Sequence, residues 1–152
     1  MADSTKILNN LRRQCSRREY CSGDVLKKAL KALEGDKDQA QKILNTLVEE
    51  RYVDDLRYAE AFARDKSSIA GWGVTKIRYM LSSKGIDREV ISTALQEIDR
   101  RKADDRLVKL IENKKRSLKD DPQTRMKLLR FALGRGYTYD EISCVLKDYD
   151  EL

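Results

Sequence analysis

The sequence predicts an all-α fold: three tandem three-helix repeats stacked into an elongated, curved array. Apolar residues recur at spacings of three and four along nearly the whole chain, and alternation at period two is absent. One proline and seven glycines punctuate 152 residues, too few turns for a sandwich of short strands. The chain also matches itself when shifted by 51 residues, twice and without a gap.

The repeats read as residues 1–52, 53–103 and 104–152. In the first, helices are predicted over 4–18, 22–34 and 36–51. Asp3 and Asp36 stand at the openings of two of them, as N-caps do. Val25, Leu26, Ala29, Leu30 and Leu33 form one apolar stripe, and Ala40, Ile43, Leu44, Leu47 and Val48 the next. In the second repeat the helices fall at 54–68, 73–84 and 87–103, opened in part by Asp54 and Asp87. Their stripes hold Val74, Ile77, Met80 and Leu81, then Val90, Ile91, Ala94, Leu95 and Ile98. The third repeat gives 104–118, 122–135 and 138–150. There Asp105 stands where Asp3 and Asp54 stand, and Asp121 before Pro122 reads as a cap with proline in the first turn. Met126, Leu129, Ala132 and Leu133 form the next stripe, and Thr138 with Glu141 makes a capping box.

The shift lays Leu26, Ile77 and Leu128 on one another, and likewise Leu44, Leu95 and Leu146. Gly85 falls on Gly136, each just past a predicted helix, where glycine accepts the left-handed conformation. A unit of about 50 residues has a marginal core of its own, so neighbouring units are expected to stack.

Composition removes much chemistry. Histidine is absent, so a Ser/His or Cys/His nucleophile pair and a His-type metal site cannot be built. Cys15, Cys21 and Cys144 have the spacing of neither a zinc knuckle nor a disulfide framework, and fit a reducing cytosol. The carboxylate pairs Asp54–Asp55, Asp104–Asp105 and Asp120–Asp121 sit at predicted helix starts, where capping explains them. Gly71-Trp72-Gly73 is too short for a dinucleotide fingerprint. Cys21 has basic neighbours in Arg17, Arg18 and Lys27 but no partner base. The expectation is therefore a non-enzyme with no catalytic, cofactor or metal site. Residues 1–10 lack the apolar run of a secretory leader, and no stretch is long enough to span a membrane, which together predict a cytoplasmic protein.

The basic residues are more informative. Lys and Arg number 32 against 26 Asp and Glu, a net charge of +6. Arg13, Arg64 and Lys115 share a repeat position. So do Lys27 and Arg78, Lys76 and Lys127, and Lys84 and Arg135. Stacking would align them in a row suited to a periodic polyanion or a repetitive acidic protein surface. Residues 138–152 run the other way, with Lys147 against Asp140, Glu141, Asp148, Asp150 and Glu151, a net of −4, and suit a protein contact. Trp72, between two glycines, reads as a packing staple, with a surface anchor as the alternative. Phe62 and Phe131 fall on apolar stripes and read as core.

Val53-Asp54-Asp55-Leu56-Arg57-Tyr58-Ala59 followed by Phe62 resembles the Leu-Asp-Asp-x-Arg-Phe-Ala signature of the RecX regulatory proteins. Gly71-Trp72-Gly73-x-x-Lys76-Ile77-Arg78-x-x-Leu81 resembles that family's Gly-Tyr-Gly-x-x-Arg-Ile-Arg-x-x-Leu, with Trp in place of the usual Tyr. Lys84-Gly85-Ile86 and Arg135-Gly136-Tyr137 resemble its Lys-Gly-Ile and Arg-Gly-Tyr segments. The resemblance implies tandem three-helix repeats and a partner, RecA, the recombinase that polymerises on single-stranded DNA. It implies inhibition of RecA ATP hydrolysis, strand exchange and co-protease activity. It points to Arg57, Arg64, Trp72, Lys76, Arg78 and Lys84, from the matched middle motif, as partner- or DNA-binding residues. A monomer is expected, with direct contact to single- or double-stranded DNA as a further mode. The competing reading is a sequence-nonspecific DNA-binding helical module that acts without RecA.

Overall fold

The structure, a computed structural model, describes residues 3–150, with side chains as far as residue 147. The described residues form nine helices and no strand. They are α1 (Ser4–Arg17), α2 (Ser22–Ala32), α3 (Lys37–Glu49), α4 (Asp55–Ser68), α5 (Val74–Ser83), α6 (Arg88–Leu95), α7 (Arg100–Ser117), α8 (Thr124–Gly134) and α9 (Tyr139–Asp150). The acidic residues Asp148, Asp150 and Glu151 lie outside the described side chains.

The repeat is written in the backbone. α1 and α4 both begin and end 51 residues apart, and α3, α6 and α9 begin at Lys37, Arg88 and Tyr139, again 51 apart. One turn position is left-handed in all three copies, at Glu34 (φ 57°), Gly85 (φ 79°) and Gly136 (φ 97°). Glu34 shows that the turn demands the conformation even where glycine is missing; Gly35 follows it at φ 92°.

The caps explain most helix starts. Asp3 accepts from the amides of Thr5 and Lys6, Asp36 from Gln39 (3.1 Å), and Asp54 from Arg57 (3.0 Å). Thr138 and Glu141 form the expected reciprocal box: Thr138 N donates to Glu141 Oε1 (2.8 Å), and Glu141 N to Thr138 Oγ1 (3.1 Å).

Two starts differ from expectation. α6 stops at Leu95 and α7 begins at Arg100, because Asp99 adopts extended geometry and accepts from Lys102 N at 3.1 Å. Asp105 therefore lies inside α7 and caps nothing. Asp121 turns its carboxylate to Gln123 N (2.8 Å) and Lys127 Nζ, so α8 starts after Gln123 and Pro122 precedes the helix.

The chain divides into two compact units: the described residues up to Ala61 with Leu81–Ala94, and Phe62–Met80 with the described residues from Leu95 on. In the first, α1, α2 and α3 pack around Leu11, Val25, Ala29, Ile43, Leu44 and Leu47. In the second, α7, α8 and α9 close over Leu107, Ile111, Leu128, Ala132, Ile142 and Leu146. The stripe on α8 runs through Leu128 and Ala132, leaving Met126 and Leu133 of the expected stripe exposed. Val48 likewise sits at the margin of the α3 stripe and is exposed. Phe62 and Phe131 are half-buried, and neither belongs to the sealed interior.

Leu107→Ala should lower unfolding free energy by about 2–5 kcal/mol in urea titration, since a buried leucine leaves a cavity. Asp99→Ala should cost about 1 kcal/mol through the lost cap, and Asp105→Ala less than about 0.5 kcal/mol. Equal losses for the two aspartates would contradict the start of α7.

Candidate functional site

Two helix starts are each held by a turn from elsewhere in the same unit. In the first unit, Ser22 donates its amide to Asp55 Oδ1 (2.7 Å) and its hydroxyl to Oδ2 (2.6 Å). One carboxylate thus serves the start of α2, which its own N-cap, Cys21, leaves without a side-chain hydrogen bond. Beside it, a Cβ on Gly23 would stand 2.8 Å from the Lys84 carbonyl oxygen, so the contact requires glycine. Lys84 Nζ meets Asp24 Oδ2 at 3.0 Å.

In the second unit, Gly73 N donates to the Arg135 carbonyl (2.8 Å) and Thr75 N to that of Gly136 (3.0 Å). Tyr137, buried, donates its hydroxyl to the Gly71 carbonyl at 3.0 Å. A Cβ on Gly73 would overlap the Gly136 carbonyl, and one on Gly136 would overlap the Lys76 side chain. Gly71-Trp72-Gly73 and Arg135-Gly136-Tyr137 are therefore two halves of one lock.

Charge is sorted around these junctions. The hydrogen bond to Asp24 raises the Lys84 ammonium above the usual lysine range. Burial pulls Asp24 upward, but hydrogen bonds from Lys84 and the Cys21 thiol outweigh it and leave the carboxyl below its ordinary value. Burial raises the Cys21 thiol, the reverse of an activated nucleophile.

In the second unit, cations lie over aromatic rings. Lys66 Nζ is 4.7 Å and Lys76 Nζ 4.3 Å from the Trp72 ring centroid. Phe62 meets the indole edge-on at 6.1 Å. Lys114 and Arg135 each lie 5.1 Å from the Phe131 ring. Arg106 reaches the buried Ser67 hydroxyl at 2.7 Å. Such cation–π contacts contribute about 0.5–1 kcal/mol at exposed sites.

The six residues singled out by the sequence separate into two groups. Arg57 and Lys84 lie in the first unit. Arg57 pairs with Glu19 at 2.7 Å and donates to the Arg51 carbonyl at 3.1 Å, and Lys84 is held by Asp24, so both have structural work. Arg64, Trp72, Lys76 and Arg78 lie in the second. Trp72 and Lys76 are brought together, while Arg64 and Arg78 stand exposed without an ion pair among the described residues. Lys66, Lys114 and Arg106 went unmarked by sequence reasoning. Lys66 ends one helix and Lys76 begins the next, so spacing within a helix gives no sign that they share a ring. Among the described residues no His, Cys, Asp and Glu group could hold a metal ion, and no helix is long and apolar enough to cross a membrane.

Comparison with known proteins bears on the same segments. The profile of the RecX second three-helix domain matches residues 54–95, and that of the RecX third three-helix domain matches residues 103–146. The chain belongs to the RecX family. A regulatory protein RecX of Clostridium botulinum (strain Eklund 17B / Type B) is 36% identical over 117 residues, covering 74% of this chain and 54% of the relative. One of Clostridium tetani is 29% identical over 143 residues, covering 83% of this chain and 65% of the relative. The chain thus spans about half the length of the first of these curated relatives. A crystal structure of RecX from Lactobacillus salivarius superimposes with a TM-score of 0.80 at 23% identity, covering 98% of this chain and 97% of that one. A crystal structure of regulatory protein RecX gives a TM-score of 0.85 at 21% identity, covering 95% and 71%. The RecX fold is therefore shared, and in this chain each half of the lock supplies the surface the other needs.

Gly136→Ala should destabilise by about 2 kcal/mol or more, from left-handed strain and overlap with Lys76. Gly134→Ala, which meets nothing within 4 Å, should be neutral or stabilising by chemical denaturation. The Asp24–Lys84 pair should contribute up to about 1 kcal/mol, given its partial exposure. Because Asp24 is depressed on folding, its share is present above the ordinary carboxylate pKa and fades as pH falls through the folded value. The stability difference between the parent and Asp24→Asn should therefore shrink below about pH 4.

Proposed function

We propose that this RecX-family chain binds RecA and RecA–DNA filaments and inhibits recombinase ATPase, strand exchange and co-protease activity. It would thereby modulate DNA repair and the SOS response in the cytoplasm, by binding and without catalysis. Membership in a family of regulatory proteins carries the reading. The repeat supports it. We take residues 1–52, 53–103 and 104–152 as three units, each a small three-helix module carrying basic side chains at matched positions. A filament offers one surface at regular intervals, and linked weak contacts to it gain avidity without any single strong site.

The partner-facing residues are drawn from Arg64, Trp72, Lys76 and Arg78, since Arg57 and Lys84 are engaged by Glu19 and Asp24. Free cations are the ones available to a partner, because recruiting a paired one leaves its carboxylate uncompensated.

Added to RecA from the same organism on single-stranded DNA, the purified chain should depress ATP hydrolysis. Inhibition at substoichiometric ratios marks action at filament ends, and inhibition near one per subunit marks binding along the filament. Lys76→Glu with Arg78→Glu should weaken inhibition at least tenfold while helicity by circular dichroism is unchanged. No inhibition by saturating parent protein, with salt-sensitive binding to bare DNA, would establish the DNA-binding module instead.

A further inference from the structure

The second unit contains one lysine position in two chemical states. Lys127 on α8 is neutralised within its own repeat by Asp121, which stands in the loop before the helix. Lys76 occupies the same position one repeat earlier, and there Ala70 replaces the aspartate. Lys76 leans on the face of Trp72 instead, 4.3 Å from the ring centroid, and Lys66 joins it at 4.7 Å. Among the described residues neither ammonium has a carboxylate partner. Two like charges are thus gathered on one indole, and alanine stands where the acid that completes the arrangement stands one repeat later.

Two large apolar side chains on the flanking segments are exposed. Ile69, next to the alanine, is 82% exposed, and Tyr79, one turn along α5 from Lys76, is 71% exposed. Exposed isoleucine and tyrosine on the segments flanking Trp72 gain nothing from a phosphate backbone, whereas aromatic anchors ringed by charge are the usual energetic centre of a protein interface.

We propose that Lys66, Trp72 and Lys76 form a docking site for an acidic segment of a protein partner, an Asp or Glu carboxylate taking the place that Asp121 holds beside Lys127. The segment's apolar residue covers Ile69. The proposal deepens the reading of the chain as a protein-binding regulator and rests on it.

Trp72 is the one tryptophan in the sequence, so its emission reports this site alone. The full chain is titrated with an acetylated, amidated peptide of aspartates and glutamates around a central leucine, and separately with a thymidine oligonucleotide of equal charge. The peptide should change Trp72 emission saturably. Lys66→Met with Lys76→Met should raise its dissociation constant at least tenfold, and Lys66→Arg with Lys76→Arg should retain binding if the methionine pair misfolds. An unchanged emission, an equal response in a folded methionine variant, or an oligonucleotide acting at lower concentration than the peptide each overturns the proposal. No recombinase is present in the titration, so a failed filament assay beside a positive titration would discard the RecA reading and leave the acidic-segment site standing.

Discussion

A left-handed turn that brings its carbonyl oxygens against another helix start is the constraint on which the rest of this structure depends. At Gly85 and Gly136 the backbone leaves one helix at positive φ and enters the next at Arg88 or Tyr139, the second of these starts capped by Thr138. The turn presents carbonyl oxygens, and another helix start presents unpaired amides. In the second unit the two satisfy each other, and the close approach requires glycine at both faces, Gly73 against Gly136; in the first unit only Gly23 must lack a side chain, where it meets the Lys84 carbonyl. The amides of Gly73 and Thr75 and the carbonyls of Arg135 and Gly136 are thus matched as donors and acceptors.

This view gives the sequence motifs a physical meaning. Asp55, which reads in the sequence as a second capping carboxylate for its own helix, spends both oxygens on Ser22. Asp54 alone caps α4. Tyr137 likewise has its hydroxyl on the Gly71 carbonyl, across 66 residues of chain. Each motif in the middle repeat thus has a structural partner far away in sequence. Much of what looks like a functional signature is the chemistry of fastening one three-helix module to the next.

How legible this was depended on the range of the interaction. Caps, helix faces and left-handed turns are local, and Asp3, Asp36, Asp54, Thr138, Gly85 and Gly136 were readable from spacing. The start of α7 was not, because Asp99 and Asp105 are both plausible caps and only the extended geometry at Asp99 decides. The self-match at 51 residues favoured Asp105 there, since a repeat predicts equivalence where the chain has drifted. The site was less legible. Spacing marked Lys76 and Trp72 but not Lys66, which meets them only after the loop at Gly71 turns back. Nor could spacing show that Arg57 and Lys84 are already taken, since Glu19 and Asp24 lie in the preceding repeat.

The distribution of paired and unpaired cations is itself informative. A basic residue that holds the fold together cannot also be offered elsewhere without loosening a junction, so paired and unpaired cations are not interchangeable. Here Lys84 and Lys127 have carboxylates within their own units, while Lys66, Lys76, Lys114 and Arg135 rest on aromatic faces. A ring holds an ammonium in place without cancelling its charge, which leaves the long-range field intact. Substituting Trp for Tyr at a glycine-flanked position enlarges that platform while the turn beneath stays fastened by backbone atoms. Variation at residue 72 can therefore adjust how cations are presented without disturbing the lock at Gly73 and Gly136.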